Sequence, residues 1–188
     1  MSVALNPPIS LDDFLAWEER QPLRYEFDGI RAVGTTGVTD AHSAIQVNLA
    51  LAIGGRLRGR ACQFRGSDLK IQVAGGIRYP DGFVVCSPRL PGTTVIRDPV
   101  VVFEILSDST TKTDYGAKNE EYAATPSIMR CVILRQDKPA GLMFERIGDD
   151  WVGHLLSAAS TLNMPEIDIE VPLAEVYDGV EFPPAEDA

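Results

Sequence analysis

A glutamate stands in the middle of the most strand-like stretch of the chain. Residues 99–106, Pro-Val-Val-Val-Phe-Glu-Ile-Leu, are otherwise apolar, and a run apolar on both faces belongs to a strand covered on both sides. Alternation puts Val100, Val102, Glu104 and Leu106 on one face and Val101, Phe103 and Ile105 on the other. An ionised carboxylate buried without a partner costs more than the whole stability margin of a domain. Glu104 must therefore hold a metal, pair with a base or carry a proton. A second acid comes earlier, in Tyr79-Pro80-Asp81, where Asp81 shares a face with Phe83 and Val85. If the two strands are neighbours joined by the 87–98 loop, Asp81 and Glu104 converge into the hard-oxygen pair that Mg²⁺ takes, leaving positions for water and phosphate. The other reading is that Glu104 pairs with an Arg and Asp81 is a turn residue after Pro80.

The 188 residues are expected to form one domain with its core over about 10–180. Residues 10–19, opened by Ser10 and Asp13, read as a capped helix. Residues 24–33 read as a hairpin turning at Asp28-Gly29 in a two-residue type I′ turn. From Asp40 as cap, Ile45, Leu49, Ala52 and Ile53 mark a long helix that Gly59 ends. Strands are expected at 61–65, 68–74, 82–86 and 99–106, separated by Gly66-Ser67, by Gly75-Gly76 and by a Pro/Gly-rich loop. A helix over 114–124 capped by Asp114, a buried strand over 130–134, a hairpin over 142–157 and a short amphipathic C-terminal stretch follow. This order points to an α/β or α+β fold with a mixed sheet.

Two more groups belong with the acids. Tyr115, Lys118 and Tyr122 share a face of the helix that follows Glu104, and a Lys there can reach back to polarise a phosphate or position a water, or else pair with Glu121 or Asp114 in solvent. Glu26, in Tyr25-Glu26-Phe27, is a third acid or an ordinary exposed strand residue. His42 and His154 lack ligand spacing, and His42 reads as a surface, cap-region or substrate-facing residue. Ser107, Ser109 and Thr110 have no nearby His for a hydrolase triad. Cys62, Cys86 and Cys131 are scattered in apolar segments and are expected to be reduced core thiols.

With 17 basic and 27 acidic side chains the net charge is −10, which excludes a broad basic surface for nucleic acid. Any such binding must be local or metal-assisted, with Arg56, Arg58, Arg60 and Arg65 on the rim of the cleft. No apolar run approaches the roughly 20 residues of a bilayer span, and a cytoplasmic protein without a membrane partner is expected.

The ordered set Tyr25-Glu26, Asp28-Gly29, His42-Ser43, Tyr79-Pro80-Asp81, Val84-Val85-Cys86, Asp98-Pro99, Val102 to Glu104, Leu106 to Thr110, Asp114, Lys118 and Tyr122 resembles the Uma-two family of restriction-endonuclease-like proteins over about residues 10–180. The resemblance implies the PD-(D/E)xK nuclease fold, a central mixed sheet flanked by helices with an N-terminal helix and hairpin. It also implies DNA as substrate and Mg²⁺ (or Mn²⁺) as cofactor, held by Asp81 and Glu104, with Glu26 and Lys118 as further catalytic residues. The wider superfamily has its Lys two residues after the second acid, where this chain has Leu106; Lys118 must substitute, with Lys70 a further candidate. The non-catalytic alternative is an interaction module, homodimeric, that keeps the fold with its acids satisfied by Arg and Lys.

Overall fold

The computed structural model describes residues 9–34, 39–88, 90–106 and 112–182, without the side chains of 112–115. Ser107, Ser109, Thr110 and the side chains of Asp114 and Tyr115 lie outside the described residues. The chain order is α1 (Leu11–Glu18), β1 (Tyr25–Phe27), β2 (Ala32–Gly34), α2 (Asp40–Arg56), β3 (Gln63–Gly66), β4 (Lys70–Val73), β5 (Gly76–Arg78), β6 (Gly82–Val85), β7 (Val95–Ile96) and β8 (Pro99–Leu106). There follow α3 (Lys112–Ala123), β9 (Arg130–Arg135), β10 (Gly141–Ile147), β11 (Asp150–Leu156), β12 (Thr161–Met164), β13 (Ile169–Pro172) and α4 (Leu173–Val176).

The fold is α+β. A six-stranded sheet runs β11-β10-β9-β8-β6-β3, a five-stranded one β2-β1-β5-β4-β7, and β12 pairs with β13. The larger sheet is mixed: β8 and β9, linked through α3, are parallel, and the remaining pairs are antiparallel. Strand β8 lies near its centre, so both faces are covered. Val101, Phe103 and Ile105 pack with Ile45, Leu49 and Ile53 from α2, with Leu57 at its C-terminal cap and with Leu162, Val171 and Leu173 from the C-terminal segment. On the opposite face Val102 packs with Phe83, Val85, Tyr122, Cys131 and Ile133. A third cluster of Phe14, Phe27 and Ile77 seats α1 on the smaller sheet.

Local chemistry explains where elements begin and where the expected boundaries move. Ser10 caps α1, its Oγ accepting from the Asp13 N–H at 3.1 Å. Thr39, not Asp40, caps α2, its Oγ1 accepting from the His42 N–H at 3.2 Å; Asp40 falls in the first turn, where a negative charge suits the helix dipole. Helix α2 stops at Arg56, ahead of Gly59. The first hairpin pairs Phe27 with Ala32, so its loop spans four residues, 28–31, rather than two. The Asp28 carboxylate makes the difference, accepting from the N–H groups of Ile30 at 3.0 Å and Arg31 at 2.9 Å.

Strand β5 occupies ground where the sequence shows only a Gly-Gly break. Gly75, at φ +82°, makes the turn, whereas Gly76 is a strand residue whose Cβ would stand 2.4 Å from the Phe27 carbonyl oxygen. The cysteine expectation also fails: the antiparallel register Gln63↔Val85 sets Cys62 across from Cys86, and the two are bonded. Only Cys131 is a free buried thiol among the described residues. The expected amphipathic tail is the β12–β13 hairpin and α4, which close the α2 side of the core.

Gly141 sits where a Cβ would be 2.0 Å from the Ile133 carbonyl oxygen. Gly141→Ala should therefore destabilise the protein by about 1–3 kcal/mol, measured by chemical denaturation; unchanged stability would show that β10 does not approach β9 so closely.

Candidate active site

Five separate segments bring their polar groups to one end of the larger sheet. The β6–β8 register, Gly82↔Phe103, sets Asp81 beside Glu104. Helix α3 crosses the same face and presents Lys118 and Tyr122, one turn apart. Strand β1 meets β5 at Phe27↔Ile77, which carries Glu26 next to Arg78. The first turns of α2 supply His42 and Gln46.

The hydroxyl of Tyr122 donates to Glu104 Oε1. Lys118 Nζ lies 3.7 Å from that oxygen and 2.9 Å from Glu26 Oε1. Glu26 also accepts from the Tyr79 N–H at 3.1 Å and sits 3.5 Å from Arg78 Nη1. Arg78 in turn grips Glu121 through Nε at 2.7 Å and Nη2 at 2.6 Å. Asp81 is held from both sides, its Oδ2 accepting from the Ile105 N–H at 2.7 Å and its Oδ1 lying 3.2 Å from His42 Nε2. Its carbonyl accepts from Gln46 Nε2 at 2.9 Å.

Electrostatics follow from this crowding. Burial pushes the Glu104 carboxyl up to about 7; Lys118 and the Tyr122 hydrogen bond pull the other way, and Asp81 and Glu26 add to the rise. Lys118 shows the converse: burial works against its charge, but Glu104 and Glu26 outweigh it and raise its pKa. Burial and Glu104 also push the Tyr122 phenol and the Cys131 thiol up. The ammonium of Lys118 thus stays charged while Glu104 is poised between its two forms near neutrality.

The structure brings Asp81, Glu104, Lys118 and Glu26 together. Lys70 goes elsewhere: its buried Nζ donates to Glu18 Oε2 at 2.6 Å, and Tyr79 donates to the other oxygen of Glu18 at 2.9 Å. The arginines expected on the rim also fall away from the acids. Arg56 is fourteen residues beyond His42 on α2, about 21 Å along its axis, and pairs with Glu175, while Arg60 pairs with Asp168. Of that set only Arg65 is near, on the edge strand opposite Phe83 and so on the face that carries Asp81.

His42, read from sequence as a surface, cap-region or substrate-facing residue, is buried against Asp81 in the first turn of α2. The signal was present: residues 42, 45, 49, 52 and 53 share the inward stripe of α2. Arg78 and Glu121 had no such signal, because their pairing needs β5 and α3 to meet.

A family model described as Uma2, putative restriction endonuclease, matches residues 11–170. "Uncharacterized protein slr1290" of Synechocystis sp. is 34% identical over 182 residues, covering 94% of this chain and 95% of that protein. A crystal structure described as a putative nuclease belonging to DUF820, from Anabaena variabilis, superposes with a TM-score of 0.76 at 15% identity, covering 90% of this chain and 98% of that one. At that identity the likeness is one of fold.

Glu104 has a folded-state pKa above its ordinary 4.5, so the folded protein holds a proton that the unfolded chain releases. In the metal-free protein its contribution to stability is full below about 4.5 and is lost as pH rises to about 7. The expected loss is on the order of 1–3 kcal/mol, read as unfolding free energy at pH 5 and pH 8. Glu104→Gln should remove this part of the pH dependence; an unchanged profile would show that another group carries it.

Proposed function

The chain belongs to the Uma2 family of restriction-endonuclease-like proteins, and from that premise we propose that it is a Mg²⁺-dependent endonuclease hydrolysing DNA phosphodiester bonds in the cytoplasm. The observation that carries the reading is the pairing of Asp81 and Glu104 on adjacent strands with the charged Lys118 beside them.

The donor set fits a hard cation. The carboxylates of Asp81 and Glu104 are the two oxygen donors that a Mg²⁺ site draws from protein, with water completing the shell. Among the described residues no group of three or more His, Cys, Asp or Glu is placed to hold a metal ion, so the proposed site rests on these two carboxylates with water. The mutual repulsion of Glu104, Asp81 and Glu26 is what a divalent charge would relieve. When bound, the cation would lower the pKa of an attacking water and stabilise charge on the phosphate.

The side chains divide the remaining work. The Ile105 N–H and His42 aim the two oxygens of Asp81. Tyr122 fixes the orientation of Glu104, whose proton must leave before both its oxygens can serve as ligands, so affinity for Mn²⁺ is expected to rise between pH 6 and 8. Lys118, charged throughout, acts as a point charge on a phosphate oxygen or a donor to water, not as a base. Glu26 is a positioning residue: at 2.9 Å it anchors Lys118, and Arg78 and the Tyr79 N–H hold it in turn. Arg65 is the cation best placed to meet the DNA backbone on an otherwise acidic protein.

Asp81→Ala should abolish the calorimetric Mn²⁺ signal and supercoiled-plasmid nicking together. Lys118→Ala should keep metal binding and lower nicking by at least about 100-fold, the scale of one lost electrostatic contact, and Lys118→Arg should recover little. Wild-type protein that neither binds Mn²⁺ nor nicks plasmid, single-stranded or branched DNA would replace this reading with a non-catalytic interaction module on the same fold.

A further inference from the structure

Helix α2 carries no Asp, Glu, Lys or Arg from Ala41 to Gly55, although only one of its sides is buried. Its inward stripe is His42, Ile45, Leu49, Ala52 and Ile53. The opposite side leaves Val47 55% and Leu51 69% exposed. A helix face turned to water ordinarily carries charge, and charge is depleted where a partner covers the surface.

The pattern on that side is symmetric about the level of residue 49. Asp40, Ala44, Val47, Leu51 and Gly54 recur at spacings of 4, 3, 4 and 3, and at about 100° per residue they fall within roughly 80° of the helix circumference; Arg58 follows four residues on, in the turn that succeeds the helix. This is the seam of a paired helix. Read backwards it matches itself: Val47 exchanges with Leu51, Ala44 with Gly54, and Asp40 with Arg58. Small residues at 44 and 54 let two backbones approach. Leu51 protrudes at the border of two surface depressions, one lined by Gly54, Arg58 and Phe64, the other by Asn48, Ala52 and Glu175. A protruding side chain beside a hollow is what an isologous contact needs.

The two charged ends complete the match. Among the described residues Arg56 pairs with Glu175 and Arg60 with Asp168, while Asp40 and Arg58 have no ion pair or side-chain hydrogen bond. We propose that a second copy of this chain docks on α2, the two helices antiparallel about a two-fold axis at the level of residue 49, with Leu51 of each against Val47 of the other and Asp40 paired with Arg58 at both ends. The contact uses the outer side of α2, whereas Glu104 lies on the opposite face of the sheet beside Tyr122, so the acid site stays open. The inference is independent of the nuclease reading.

Sedimentation equilibrium of the full chain at about 1–100 µM should show twice 20.5 kDa. Leu51→Glu should weaken association at least about 100-fold with an unchanged circular dichroism spectrum. Asp40→Arg and Arg58→Asp should each weaken it about 10-fold, and the double swap Asp40→Arg/Arg58→Asp should restore it, which a mere loss of helix stability would not do. A monomeric wild type, a dimer that all these variants leave intact, or a double swap no stronger than the singles would overturn the proposal.

Discussion

The carboxyl of Glu104, set in a strand covered on both faces, is the constraint around which the rest of this end of the molecule is arranged. Its desolvation is opposed from α3 by the Tyr122 hydroxyl and the Lys118 ammonium. Those two reach it only because α3, between the parallel strands β8 and β9, lies across the face that Glu104 shares with Val102. Lys118 then needs its own counter-charge in a buried setting, and Glu26 supplies it from the first hairpin. Each step of burial is answered by a group from a different element, so the acid cluster ties the hairpin and α3 to the central sheet.

Compensation is nevertheless incomplete. Asp81 and Glu26 both raise the pKa of Glu104; a site optimised for stability alone would separate these acids or add another base. Arg78 does add one, but it is committed to Glu121 by two short bonds and reaches Glu26 only at 3.5 Å. Residual repulsion between carboxylates is the usual mark of a place where function, rather than stability, sets the composition. On the nuclease reading proposed above, a divalent charge would relieve it, and the same repulsion would make metal binding depend on pH.

Helix α2 serves three purposes at once. Its inner stripe builds the core against β8, its first turns hold Asp81 through His42 and Gln46, and its outer side carries no charged residue from Ala41 to Gly55.

Much of the fold was legible in the chain. The strand around Glu104, the capped first helix, the inward stripe of α2 and the 142–157 hairpin all rest on short-range periodicity and capping, which adjacent residues dictate. The embedded Glu104 announced a cluster of compensating groups, because a carboxylate among valines has few physical explanations. What the chain alone could not say was which partners would meet there. The pairing of Asp81 with Glu104, the capture of Lys118 by Glu26, the diversion of Lys70 to Glu18, the burial of His42 and the bonding of Cys62 to Cys86 all depend on strand register and helix placement between segments far apart in sequence. Even β5 was hidden, since its three residues become a strand only with β1 and β4 alongside. Sequence sets the cost of burying each group; only the tertiary structure, by choosing which groups touch, decides how that cost is met.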